Sequence, residues 1–196
     1  PSFIRTVCLE FFGADLRRIL LSAGSGGVGL QAPLPSTTPL VISPLINAAN
    51  DGCDAYAAGQ FQNAIAVVRR GTCSFTIKTN NAAAAGALVV IIANNAAGGI
   101  SPSVPGTTVP AFGTTQAIGN ALRDFAQANG GATAAISVAP NVVDALADFS
   151  SRGPGGVDVL KPDISAPGVD VLAAYAGTTI SGFESATAVI SGTSMA

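Results

Sequence analysis

Ala64-Ile65-Ala66-Val67-Val68-Arg69-Arg70-Gly71-Thr72-Cys73-Ser74-Phe75 is the stretch from which the fold is read. Five apolar residues without a polar break make a strand, and Arg69-Arg70-Gly71 stops it. Residues 75–85 are helix-compatible, with an alanine-rich second half and Gly86 as the stop. Residues 87–93 form a second apolar, β-rich run with Leu88-Val89-Val90-Ile91-Ile92 at its heart. Strand, helix and strand in so short a span predict a small α/β unit whose second strand is buried.

Outward from this unit the pattern continues in both directions. Upstream, Pro39-Leu40-Val41-Ile42 reads as a strand that ends at Ser43-Pro44, and Asn50-Asp51-Gly52 signals a turn. Downstream, residues 94–110 form a loop rich in Gly, Pro, Ser and Thr, followed by Val109-Pro110-Ala111-Phe112 as a short strand. Thr114 or Thr115 then caps a helix whose Ile118, Leu122 and Phe125 fall on one face. Gly130 and Gly131 end that helix, and residues 132–138 return as a strand. Residues 40–138 thus read as a self-contained α+β module.

Residues 1–39 are read as a poorly defined N-terminal segment and linker. Leu16 to Leu21 suits a short helix or a strand equally well. Gly24-Ser25-Gly26-Gly27-Val28-Gly29 has the G-x-G-x-x-G spacing of a dinucleotide loop. That loop needs a helix to start within it, and Pro33 and Pro35 prevent one. A flexible linker is the expectation there.

Composition limits the function classes. The 196 residues are 48% hydrophobic and 10% charged, with 23 Gly and 12 Pro, which is a globular profile and not a disordered one. A net charge of −2 argues against nucleic acid or an anionic membrane surface as partner. No apolar run is long enough to span a bilayer. The chain opens at Pro1 without an initiator Met or a signal-peptide pattern, and so reads as an excised piece. Histidine is absent altogether, which removes a histidine base and a His-ligated metal from these residues.

Three cysteines leave at least one unpaired. A bridge between Cys53 and Cys73 would close a loop of roughly 20 residues and stabilise by about 3 kcal/mol. Two buried thiols are the alternative. Cys8 has no evident partner.

The module at 40–138 resembles the protease-associated (PA) domain. The likeness is carried by the opening stretch, by Ala85-Gly86-Ala87 leading into Val90-Ile91-Ile92-Ala93-Asn94-Asn95, and by Val109-Pro110-Ala111-Phe112. It implies a small β-sheet or barrel with flanking helices and a pairing of Cys53 with Cys73. An oxidised pair in turn implies an extracytoplasmic, secreted location.

A second resemblance covers residues 139–196. Phe149-Ser150-Ser151-Arg152-Gly153-Pro154, Lys161-Pro162-Asp163-Ile164-Ser165-Ala166-Pro167-Gly168, Val171-Leu172-Ala173-Ala174-Tyr175 and Ser191-Gly192-Thr193-Ser194-Met195-Ala196 follow in order. Together they look like the C-terminal part of the catalytic domain of a subtilisin-like serine peptidase (subtilase), cut just after the nucleophile motif. The likeness implies a partial α/β domain with a parallel sheet. It also implies acyl transfer through Ser194, whose backbone N–H would give one oxyanion-hole donor. The family's Asp, His and oxyanion Asn have no counterpart here, so the chain alone is expected to be inactive. Asn94 and Asn95 belong to the PA-like part, and Asp163 reads as a turn residue. No cofactor is identifiable, and calcium enters only as a family possibility for the parent protein. The expected partner is a protein or peptide substrate, with the PA-like part modulating its access or binding. The alternative is a non-catalytic binding module with a remnant peptidase tail.

Overall fold

A computed structural model describes residues 6–12, 16–138, 171–174 and 187–190. They divide into two units, 1–142 and 143–196.

In the first unit seven strands close into a barrel. They are β1 (Thr6–Phe12), β2 (Leu16–Ala23), β3 (Leu34–Ile42), β4 (Ala64–Arg69), β5 (Ala87–Ala93), β6 (Ala111–Thr114) and β7 (Thr133–Val138). Around the barrel the order is β1-β2-β6-β5-β4-β3-β7. The β3-β4, β4-β5 and β5-β6 pairs are parallel; the other pairs are antiparallel. Helix α1 (Phe75–Ala84) joins β4 to β5, and α2 (Gln116–Ala128) joins β6 to β7.

The uninterrupted apolar runs of β4 and β5 follow from burial on both faces. Ile65, Val67, Val89 and Ile91 point into one cluster with Leu9, Leu21, Phe112 and Ile136. Ala66, Val68, Val90 and Ile92 point into a second with Phe61 and Ala82 of α1. The two strands slip register between Ala64 and Ile65, which leaves Leu88 unpaired and 39% exposed.

Helix α2 lays Ile118, Leu122 and Phe125 on the first cluster, as its periodicity predicts. Thr115 is its cap, accepting from the Ile118 N–H at 3.2 Å. The shorter α1 is capped by Ser74 and buries Lys78, Thr79 and Ala82. Its end needs Gly86, whose φ of 98° suits a residue without Cβ.

Two expectations for the N-terminal third change. Leu16 to Leu21 is strand, paired antiparallel with β1, so the barrel takes two of its seven strands from before residue 24. The glycine stretch after it is packed, not a free linker. Gly24 N–H donates to the Ala111 carbonyl, Ser25 N–H to Pro102, and Val104 N–H back to Ser25. A Cβ on Gly24 or Gly27 would collide with Val104 or Thr107. The short strand read at 109–112 begins at Ala111 and runs to Thr114.

In the second unit, β8 (Val171–Ala174) pairs antiparallel with β9 (Thr187–Ile190). The parallel sheet expected of a partial catalytic domain is not found among the described residues.

Candidate functional site

The four parallel strands β3, β4, β5 and β6 all run the same way, so their C-terminal ends and the starts of α1 and α2 gather on one side of the barrel. This is the edge where open α/β sheets place ligands, because loops and helix N-termini converge there. An open groove of about 470 Å³ lies at this edge. One wall is Arg70 with Cys73, Ser74 and Phe75 at the start of α1; the other is Ser103 and Pro105.

Arg70 is held from two directions. Its guanidinium sits 5.9 Å from the centroid of the Phe75 ring and donates to Asn94 Oδ1 at 3.2 Å. Its own N–H donates to the Ala93 carbonyl, which extends the β4-β5 ladder by one bond. Among the described residues it forms no ion pair, since the pairs there are Arg18–Glu10 and Arg123–Asp124. A fixed, uncompensated guanidinium over an aromatic ring suits carboxylates and backbone carbonyls. Gly71 allows the chain to turn beneath Arg70, because any Cβ there would overlap the Ala49 carbonyl.

Behind the groove lies a buried polar network. The Asp51 carboxylate accepts from Ser43 Oγ, from the Tyr56 hydroxyl at 2.8 Å and from the Arg69 backbone N–H at 2.7 Å. Lys78 is fully buried, and its Nζ donates to the Asp51 carbonyl. Asn81 Nδ2 donates to the Gly52 carbonyl at 2.9 Å. The turn at Asn50-Asp51-Gly52 is therefore sewn to β4 and α1. Burial pushes the Lys78 ammonium below the usual lysine range, against the pull of the Asp51 charge. Burial also pushes the Tyr56 phenol above its usual range; the Ser43 hydrogen bond opposes this, and the Asp51 charge adds to it.

The disulfide Cys53–Cys73 is formed, with Cα atoms 5.6 Å apart, and Cys8 is free and buried. Its Cys73 end lines the groove. Its Cys53 sulfur stands 3.8 Å from Lys78 Nζ. The Asn94 side chain accepts from Arg70 and donates to the Gly98 carbonyl. Ser194, its backbone N–H and Asp163 lie outside the described residues.

Sequence reasoning did not find Asp51, Tyr56 or Lys78. A lysine inside an otherwise weakly amphipathic helix was the signal available, and it carries no partner with it. The apolar residues of β4 are fully buried and those of β5 nearly so, Leu88 excepted, so these strands offer little binding surface. Among the described residues there is no group of three or more His, Cys, Asp or Glu that could hold a metal ion. None of the described helices is long and apolar enough to cross a membrane.

Comparison with known proteins agrees with this architecture. The profile of the PA domain family matches residues 37–122. The minor extracellular protease Vpr of Bacillus subtilis is 39% identical over 110 residues, covering 55% of this chain and 14% of Vpr. The subtilisin-like protease SBT4.8 of Arabidopsis thaliana is 51% identical over 59 residues, 26% of this chain and 8% of that protein. Among solved structures, an aminopeptidase from Aneurinibacillus sp. strain AM-1 superposes with a TM-score of 0.53 at 26% identity, covering 70% of this chain and 31% of the enzyme. The chain thus spans a small fraction of the relatives it matches. It carries a PA domain, built as a seven-stranded barrel with two helices, and is related to proteases.

Proposed function

We propose that this PA-domain chain is part of a secreted serine endopeptidase of the subtilisin-like kind, with Ser194 as nucleophile and its backbone N–H as one oxyanion donor. The similarity to subtilisin-like proteases carries the reading. The Gly192-Thr193-Ser194-Met195-Ala196 motif and the three motifs upstream of it support it. Secretion is supported by the disulfide and by the extracellular relative.

A serine hydroxyl needs a base, and these 196 residues hold no histidine. In subtilisins the order along the chain is Asp, His, Ser, so the missing partners belong upstream. Removing the serine or the histidine in subtilisin lowers turnover about a million-fold. The 196-residue chain should therefore take no label from a fluorophosphonate probe. A protein that also carries the Asp and His should be labelled, and Ser194→Ala should abolish it. Labelling of the short chain that vanishes in Ser194→Ala would refute the inactivity, and an unlabelled whole protein would refute the peptidase.

Within that enzyme the PA barrel binds an extended segment of protein substrate across the Arg70 groove and so modulates access to the catalytic centre. Support comes from the anchored guanidinium and from the likeness of this chain to an aminopeptidase in structure and to subtilisin-like proteases in sequence. A module shared by peptidases of different kinds acts on the substrate chain and not on the bond chemistry. Chemical-shift titration of the 196-residue chain with an unfolded casein should move Arg70, Ser74 and Ser103. Arg70→Ala should weaken binding about tenfold, roughly 1.4 kcal/mol. Absence of binding removes the recruitment role. Binding together with an unlabelled whole protein favours the second reading, a non-catalytic binding module.

A further inference from the structure

We propose that the Cys53–Cys73 disulfide is a directional redox switch, opened by a thiol that attacks Cys73 from the groove while Cys53 leaves as a thiolate held by Lys78. Three observations carry it, and none depends on the peptidase reading. The first is access: Cys73 lines the open groove, so an incoming sulfur has room on that side. The second is the partner of the other sulfur. Cys53 Sγ lies 3.8 Å from Lys78 Nζ, and the Thr72 hydroxyl is 3.4 Å from the same sulfur. The third is that Lys78 cannot turn away, since it is fully buried and tied to the Asp51 carbonyl.

Thiol–disulfide exchange goes faster when the leaving sulfur is better stabilised as thiolate. Cys73 has its own source of stabilisation, because it precedes the Ser74 cap of α1. A helix N-terminus supplies only about half a unit charge, whereas the ammonium supplies a whole one. The balance therefore favours departure of Cys53.

The exchange is balanced as follows. A low-molecular-weight thiolate bonds to Cys73 Sγ as the Cys53–Cys73 bond breaks, and the electron pair of that bond goes to Cys53. A second thiolate then bonds to the first, releasing Cys73 as thiolate. Two thiols are oxidised to one disulfide and the protein gains two thiols. Opening the bridge removes the covalent tie of Cys73 to the turn at 50–53 while Thr72 N–H stays on the Ala49 carbonyl, so the change in the groove wall is confined to Cys73 and Ser74.

The test uses the whole 196-residue chain with excess glutathione, quenched in acid at early times, alkylated with N-ethylmaleimide and mapped by peptide mass spectrometry. The glutathione adduct should sit on Cys73 and the maleimide on Cys53, with at least a tenfold preference. Adducts mainly on Cys53, or divided evenly, overturn the proposal. Lys78→Gln should slow reduction by glutathione about tenfold, and Lys78→Arg should restore most of the rate. An unchanged or faster rate in a folded Lys78→Gln chain overturns it as well. Should that variant not fold, the adduct ratio of the unsubstituted chain decides.

Discussion

Asp51 shows how much a single carboxylate can organise. It joins Ser43 after β3, Tyr56 in the following loop and the Arg69 N–H at the end of β4. Its replacement by alanine leaves three donors unanswered beside a buried ammonium, and should cost about 3–5 kcal/mol. For a chain of this size that is a fall in melting temperature of roughly 10 °C, measurable by calorimetry. Tyr56→Phe removes one bond to a charged acceptor and should cost about 1.5–3 kcal/mol at neutral pH. That gap has a pH signature. The phenol is held protonated in the fold, so above its ordinary value of 10.0 the unfolded chain ionises first and stability falls. Tyr56→Phe lacks this falling limb, and the difference between the two proteins should narrow above pH 10 in denaturant titrations. Lys78 works in the opposite sense: its lowered value means the fold gives up the proton first, so stability rises as pH approaches 10.5. The turn at 50–52 was legible from Asn-Asp-Gly. The role of Asp51 was not, because its partners lie 5 to 18 residues away and only the closed fold brings them together.

At the scale of elements, legibility followed burial. The strand β5 was read with its observed ends and α1 to within a residue, since both faces of β4 and β5 are covered and Gly86 marks the break between them. The hairpin of β1 and β2 was missed. Ile19 and Leu21 face the core while Leu20 is 58% exposed, so an apolar residue occupies a position where alternation would put a polar one. The Glu10–Arg18 ion pair that crosses the hairpin is visible only once register is known. The caps carry their own test. Ser74→Ala removes the acceptor of the Ile77 N–H and should cost about 1 kcal/mol, and it should also shift the amide resonances lining the groove. Gly119 packs α2 against Ala93 with no room for a Cβ. Gly119→Val should push the helix off β5 and cost at least 1–3 kcal/mol by thermal melting.

For the barrel as a whole, closure is the controlling fact. The β2-β6 seam is two residues long, Ser22 with Gly113 and Ala23 with Phe112, whereas β1-β2 spans seven. A chain starting at residue 40 keeps every stretch that resembles a PA domain but lacks β1, β2 and the start of β3, and so leaves the edges of β6 and β7 open. It should aggregate or melt without cooperativity, while residues 1–142 should unfold in one transition followed by circular dichroism. The same closure explains why residues 1–39 resisted reading. Their place is set by partners near residues 102–113 and 134–138, and no local pattern encodes that.

The bridge between Ser25 and Ser103 gives the N-terminal hairpin a task of its own. Ser103 and Pro105 line the Arg70 groove, yet what splints them is a glycine ribbon some 80 positions earlier in the chain. Exchanging that ribbon and its hairpin between related proteins should therefore reshape the groove with every side chain that lines it left untouched.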